Sequence, residues 1–391
     1  MKKTLLSTLL INIITVALSF VNVYLAALFF SAYDIGIYAS FTGVFLVVQS
    51  LPLSGLSLPI TRAMIAKNFW FLRTALIWGL CASVIFLCIT VFGYFMVDGV
   101  NTKYWLAVLG LIFGPVLFVE TYLIATGRHL LPRYLNLLAQ LIILGGIMSS
   151  GSHTLSLIDI FLLSKVYLVW YLIVIFKERR VRHECEPPLT LSYFRQGLRQ
   201  TILNIFLVLS ARLDKIILTF QDPVLAAGLF YALIVPSSIK GQSKVVSAVY
   251  NVILAGEGPV AHWRQLRAHS VIIALLCLAL IVATVGINFV LFYFVLDADL
   301  RYFAYIAALA TLSIPAVVAS MLLNHFLNTH SEAKYAYQIV MFRNLALLLN
   351  SALVLFNISI YVAVLVSIEV LVAYLLYRGT KHLLLICPKE S

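Results

Sequence analysis

The chain has 391 residues, 63% of them apolar and 11% charged, with a formal net charge of +12 and a mean hydropathy of +1.04. Soluble domains carry roughly 45–50% apolar and about 25% charged residues, and a buried core of any size still needs a polar shell facing water. Lipid must therefore surround most of this protein, which excludes a cytoplasmic enzyme on a single anchor. At about 20 residues per span there is room for about a dozen helices.

Apolar runs broken by charge or turn residues place helices near Leu5 to Phe30, Ile35 to Ile60, Thr74 to Val97, Tyr104 to Thr126, Tyr134 to Met148 and Leu157 to Phe176. Six more run near Thr201 to Phe220, Val224 to Tyr250, Val271 to Leu296, Tyr302 to Phe326, Ile339 to Phe356 and Ile358 to Tyr377. The runs are continuously apolar instead of alternating every second residue, so they read as helices and not barrel strands. The first, behind Met1-Lys2-Lys3, is too long for a signal-peptide core and reads as an uncleaved span. The expected fold is an all-α polytopic membrane protein of about 12 transmembrane helices in two six-helix bundles. Residues 1–176 form the first bundle and 201–377 the second. Between them, 177–200 reads as a cytoplasmic connector marked by Pro187-Pro188, and 378–391 reads as a cytoplasmic tail.

The halves carry a faint repeat. Asn12 precedes Gly36 by the same interval that separates Asn204 from Gly228, and in that register Asn22 falls on Asp214. Even numbers of spans make such repeats parallel, related by a pseudo-twofold along the membrane normal.

With the N-terminus inside, twenty Lys and Arg fall on the inner side, among them Lys2, Lys3, Arg62, Arg128, Arg264, Arg267, Arg343, Arg378 and Lys381, whereas the outer side keeps only Lys103 and Arg301. That asymmetry places both termini in the cytoplasm. It also explains the basic charge by topology, with no nucleic-acid partner. Five cysteines without paired spacing indicate neither a disulfide framework nor a metal site, and no cofactor motif is present.

Five bases and three acids remain inside spans: Lys165, Arg212, Lys215, Lys240 and Lys244 against Glu120, Asp214 and Glu369. Each is costly at a helix centre, about 2.5–3.5 kcal/mol on insertion scales, and so needs a partner or a wet cavity. Arg212 and Lys215, three apart, share a helix face, while Asp214 lies off that stripe. At about 1.5 Å per residue Arg212 lies about 18 Å inside a core of about 30 Å. Lys240 and Lys244 also share a face, in the inner half. One reading pairs the three acids with bases on neighbouring helices and lets Lys240 or Lys244 snorkel. The other lines a wet cavity with cations for an anionic substrate, phosphate or pyrophosphate, to which Arg offers bidentate donors and Lys a point charge. The excess of cations favours the second. The remaining polar residues, such as Asn22, Gln140, Asn288 and Asn350, read as interhelical glue.

No phosphate-binding loop, zinc-protease helix or nucleophile elbow is present. Asp297-Ala298-Asp299 has the form of a metal-dependent glycosyltransferase motif, but its external loop is too short for such a domain and reads as a turn. A membrane-embedded glycosyltransferase or polysaccharide polymerase would need a larger external loop. A multidrug-type cation-coupled exporter would need acids and aromatics in place of surplus bases.

Asn12 to Arg62, with Tyr33-Asp34-Ile35-Gly36-Ile37-Tyr38-Ala39 and Gly55-Leu56-Ser57-Leu58-Pro59-Ile60-Thr61-Arg62, resembles the start of polysaccharide-unit flippases. Ala211-Arg212-Leu213-Asp214-Lys215-Ile216-Ile217-Leu218 and Gly228-Leu229-Phe230-Tyr231-Ala232 are similar to the signature of spans seven and eight in the same group. This is the Wzx-type branch of the multidrug, oligosaccharidyl-lipid and polysaccharide exporters. The resemblance implies a bacterial inner-membrane flippase that turns an undecaprenyl-pyrophosphate-linked oligosaccharide, such as an O-antigen repeat unit for lipopolysaccharide, from the inner to the outer leaflet by alternating access. Arg212, Lys215, Lys165, Lys240 and Lys244 would meet the substrate. Asp214, Glu120 and Glu369 would serve as charge partners or couple a proton or sodium ion. Polymerase and chain-length proteins of the pathway would be partners. Span one lacks the charge that some relatives carry there.

Overall fold

The computed structural model describes residues 2–50, 130–150, 155–166, 201–202, 205–234, 236–237, 258–296, 298–330 and 333–386, and among them every regular element is a helix. The chain divides into two compact units, Met1–Arg212 and Leu213–Ser391.

In the first unit, α1 (Lys2–Phe29), α2 (Ala32–Ser50), α3 (Leu130–Ser149) and α4 (Leu157–Ser164) are described. Short polar residues set their starts. The Ser31 hydroxyl accepts from the Asp34 backbone N–H (3.2 Å) at the head of α2, and Ser156 and Asp159 form a reciprocal capping box on α4. α1 and α3 pack along their length, joined by Asn22 Nδ2, which donates to the Gln140 backbone carbonyl (2.9 Å) and side-chain oxygen (3.0 Å). This is the interhelical bonding expected of polar residues in spans. Phe41, Phe45, Ile158 and Phe161 form the buried nest between α2 and α4.

The second unit contains α5 (Leu213–Gln221), α6 (Pro223–Ile234), α7 (Pro259–Ala268), α8 (Ser270–Val290), α9 (Tyr302–Thr311), α10 (Ile314–Thr329), α11 (Ala333–Asn350) and α12 (Ile358–Ile386). A π-helical turn, Leu291–Val295, extends α8, and a 3₁₀ turn, Ser351–Leu355, ends α11. Asp222 Oδ1 accepts from Val224 N (2.8 Å) and Asn357 Oδ1 from Ile360 N (3.1 Å), capping α6 and α12. Leu266, Phe326, Leu327, Ala336, Ile339, Val372, Leu376 and Leu383 make one core between α7, α10, α11 and α12.

Six stretches among the described residues are long and apolar enough to cross a membrane: Ala32–Ser50, Leu130–Ser149, Ser270–Val295, Ala298–Asn328, Lys334–Leu355 and Ile358–Leu385. The runs expected across Thr74 to Val97 and Tyr104 to Thr126, and the connector 177–200, lie outside the described residues. Two expected spans are not continuous. The run from Thr201 is interrupted at Ala211–Arg212, where the backbone N–H groups reach back three residues, to Val208 O (3.2 Å) and Leu209 O (3.0 Å). The run Tyr302 to Phe326 is divided at Leu312–Ser313, ahead of Pro315, which has no N–H and suits the first turn of α10. Ala298–Leu300 is a 3₁₀ turn, as expected of a connecting loop.

Helices in lipid gain from close backbone approach. Gly228 on α6 provides one: a Cβ there would run into the ring of Phe303, a side chain 1% exposed on α9. Gly228→Ala is therefore expected to lower unfolding stability by about 1–3 kcal/mol, with much of the loss recovered in Gly228→Ala/Phe303→Leu. Thermal unfolding in detergent reads both, and an unchanged single variant would show that the ring simply moves aside.

Candidate functional site

The sequence-derived candidates fall into three described groups. In the first unit, Lys165 follows α4, its Nζ 4.6 Å from the centroid of the Phe161 ring. Tyr38 stands edge-on to that ring at 6.0 Å, and the guanidinium of Arg212 acts electrostatically on the Tyr38 hydroxyl. The Lys165 ammonium over the Phe161 ring is the geometry expected from the attraction of cations to ring faces. Arg212 itself lies in the turn at 211–212, where an interrupted helix brings irregular backbone to a charged side chain.

The second group begins two residues later. Asp214 and Lys215 are 1% and 5% exposed, and Lys215 Nζ donates to Asp214 Oδ2 at 2.8 Å. The same oxygen accepts from the Tyr361 hydroxyl of α12 at 2.8 Å. The expectation that Lys215 lacks a carboxylate is corrected here. The two residues are adjacent in the first turn of α5, and the four-carbon lysine stem reaches across a separation that backbone geometry alone places off the stripe. Asp214 Oδ1 is buried and has no hydrogen-bond partner among the described residues.

The third group holds Glu369, about 12 Å along α12 from Tyr361 at 1.5 Å per residue. Its Oε2 accepts from Arg343 Nε at 2.8 Å and its Oε1 from Arg343 Nη2, a two-point guanidinium–carboxylate contact. Arg343 was expected among the inner loop charges. It is instead 8% exposed within α11, because α11 starts at Ala333 and carries Arg343 almost three turns into the helix. Between the second and third groups, Asn350 Nδ2 donates to the Tyr361 carbonyl at 3.0 Å, so α11 and α12 share a polar seam.

The structure thus sets Lys165 over the Phe161 ring, pairs Asp214 with Lys215, and gives Glu369 a partner that sequence reasoning missed. Lys240, Lys244 and Glu120 lie outside the described residues. Among the described candidates, Lys165, Arg212, Lys215 and Arg343 stand against Asp214 and Glu369, so bases outnumber acids even beside the two ion pairs. Among the described residues no group of three or more His, Cys, Asp or Glu side chains is arranged to hold a metal ion.

No family model matches the chain, and no curated protein does. Solved structures do. An inward-facing multidrug resistance MATE family transporter of the MOP superfamily superposes with a TM-score of 0.68 at 11% identity, covering 99% of this chain and 100% of that one. The lipid II flippase MurJ, in an inward closed conformation, gives 0.71 at 12% identity over 96% of this chain and 87% of that one. The chain has the fold of the MOP-superfamily transporters. A member of that superfamily from Pyrococcus furiosus, described as having a binding pocket of reverse polarity, gives 0.55 at 10% identity over 97% and 95%. Fold and apolar helices together make this a multi-pass membrane protein.

Proposed function

We propose that this protein is a flippase that moves an undecaprenyl-pyrophosphate-linked oligosaccharide, such as an O-antigen repeat unit, from the inner to the outer leaflet of the bacterial cytoplasmic membrane. The observation that carries this reading is the excess of bases held in apolar helices of a fold that a lipid II flippase shares. A pyrophosphate and hydrophilic sugars crossing hydrocarbon need a substitute for water, which cationic donors supply, while the polyprenyl tail stays in lipid. Arg212, Lys215 and Lys165 are the substrate contacts nearest mid-span, and Lys240 and Lys244 attract the headgroup on the inner side.

Asp214 and Glu369 differ in what they can do in a coupled return step. Both Glu369 oxygens are engaged by Arg343, whereas Asp214 keeps one buried oxygen that has no partner among the described residues. That supports Asp214, before Glu369, as the acid that takes a proton or cation while Lys215 binds the substrate.

Arg212→Gln/Lys215→Gln is expected to abolish surface glycan while the protein remains in the membrane, with lipid-linked repeat units accumulating on the inner face. Normal glycan in that double variant overturns the reading. The multidrug transporters with this fold keep a second reading, cation-coupled drug export, in view. It predicts drug susceptibility on deletion with intact glycan.

A further inference from the structure

The second unit contains a cavity of about 850 Å³ walled by α7, α8, α10 and α12. Its lining is mostly Leu, Ile and Ala. Along α8 it extends from Ser270 to Ile281, about 16 Å at 1.5 Å per residue, half of a hydrocarbon core of about 30 Å. It therefore has the length of one leaflet. α8 is the most outward-facing span described, with 11% of its apolar window buried, so the cavity borders the membrane.

The head of the cavity has different chemistry. Arg267 of α7 and Lys381 of α12 line it there, together with Trp263 and Tyr377, whose rings lie 6.2 Å apart. Arg267 and Lys381 are exposed, and neither has a carboxylate partner among the described residues. Two unneutralised cations beside amphipathic aromatic rings match the headgroup level of a bilayer, and the apolar trough matches an acyl chain.

We infer that this cavity is a binding site for an anionic glycerophospholipid, whose phosphate lies between Arg267 and Lys381 and one of whose acyl chains fills the trough along α8. The inference is independent of the transported substrate: it concerns a resident lipid of the leaflet at the basic end of the second unit.

The test uses the full chain in detergent, with phosphatidylglycerol, phosphatidylcholine and inorganic phosphate as probes, read by thermal unfolding and native mass spectrometry. Phosphatidylglycerol is expected to raise the melting temperature and to remain bound. Phosphatidylcholine and inorganic phosphate are expected to do neither. Arg267→Gln/Lys381→Gln should weaken phosphatidylglycerol binding roughly thirtyfold, the equivalent of losing two contacts of about 1 kcal/mol each. Arg264→Gln/Arg378→Gln removes the same charge from exposed bases at that end which do not line the cavity, and should leave binding unchanged. Ala319→Phe, or Ala274→Phe at an exposed position, fills the trough with both charges intact and should weaken binding comparably. Equal loss in the two charge variants, retained binding in both Phe variants, binding of phosphate alone, or a second copy of the chain held in place of lipid would each overturn the assignment.

Discussion

Glu369→Gln is expected to lower unfolding stability by about 3–5 kcal/mol, because it leaves the Arg343 guanidinium buried without its carboxylate. In the native protein both guanidinium contacts run to one carboxylate, with Arg343 8% and Glu369 3% exposed. Removing one member of such a pair strands the charge of the other, whereas replacing both with apolar residues of similar volume is close to neutral. Arg343→Met/Glu369→Leu should therefore regain most of the stability that Glu369→Gln loses. Denaturant titration in detergent measures both. A single-variant loss below about 1 kcal/mol would show that solvent reaches the pair, and a double variant as unstable as the single would assign the effect to packing.

Acid is expected to loosen the end of the second unit where His262 and His330 meet. His262 Nδ1 and His330 Nε2 are 2.9 Å apart, and the His262 ring packs against Phe326 with centroids 4.9 Å apart. Burial, and secondarily the neighbouring His330, hold His262 at about 4. Burial also lowers His330. An unfolded histidine titrates near 6.5, so between the two values the unfolded chain binds more protons and stability falls with the pH. The contribution is complete above about pH 6.5 and lost by about pH 4. Allowing for solvent screening, it amounts to about 1–3 kcal/mol. The cause is visible in the bond itself. One ring nitrogen must accept, and two protonated rings have only donors to offer. His262→Phe should flatten this limb of the pH–melting curve, and an equally steep limb in that variant would move the effect to other groups.

Much of the helical layout is legible in hydropathy, because continuous apolar runs and charged borders report directly on lipid and water. α1, α2 and α3 begin and end close to where those runs do, as far as their residues are described. Breaks within a run are another matter. Ala211–Arg212 carries no Gly or Pro, so nothing local marks the turn, whereas the division at Leu312–Ser313 has its signal in Pro315. Arg343 was obscured because a lone base near a span border reads as a loop charge. Counting from the bend at Asn357 would have found it: Arg343 lies fourteen residues before and Glu369 twelve after, so antiparallel helices set them nearly level. The Asp214–Lys215 bond escaped for a different reason. Helix periodicity locates Cβ atoms, and a lysine ammonium ranges well beyond its own stripe.

α12 spans 29 residues, which at 1.5 Å each is about 44 Å of rigid rod set in an oily slab of about 30 Å. About nine residues have to protrude, and the last nine contain Arg378, Lys381 and His382. That overhang gives the protein slack: a thinner or thicker membrane shifts the waterline along the rod without dragging a charge into oil, so host bilayers of different thickness should be tolerated at little cost.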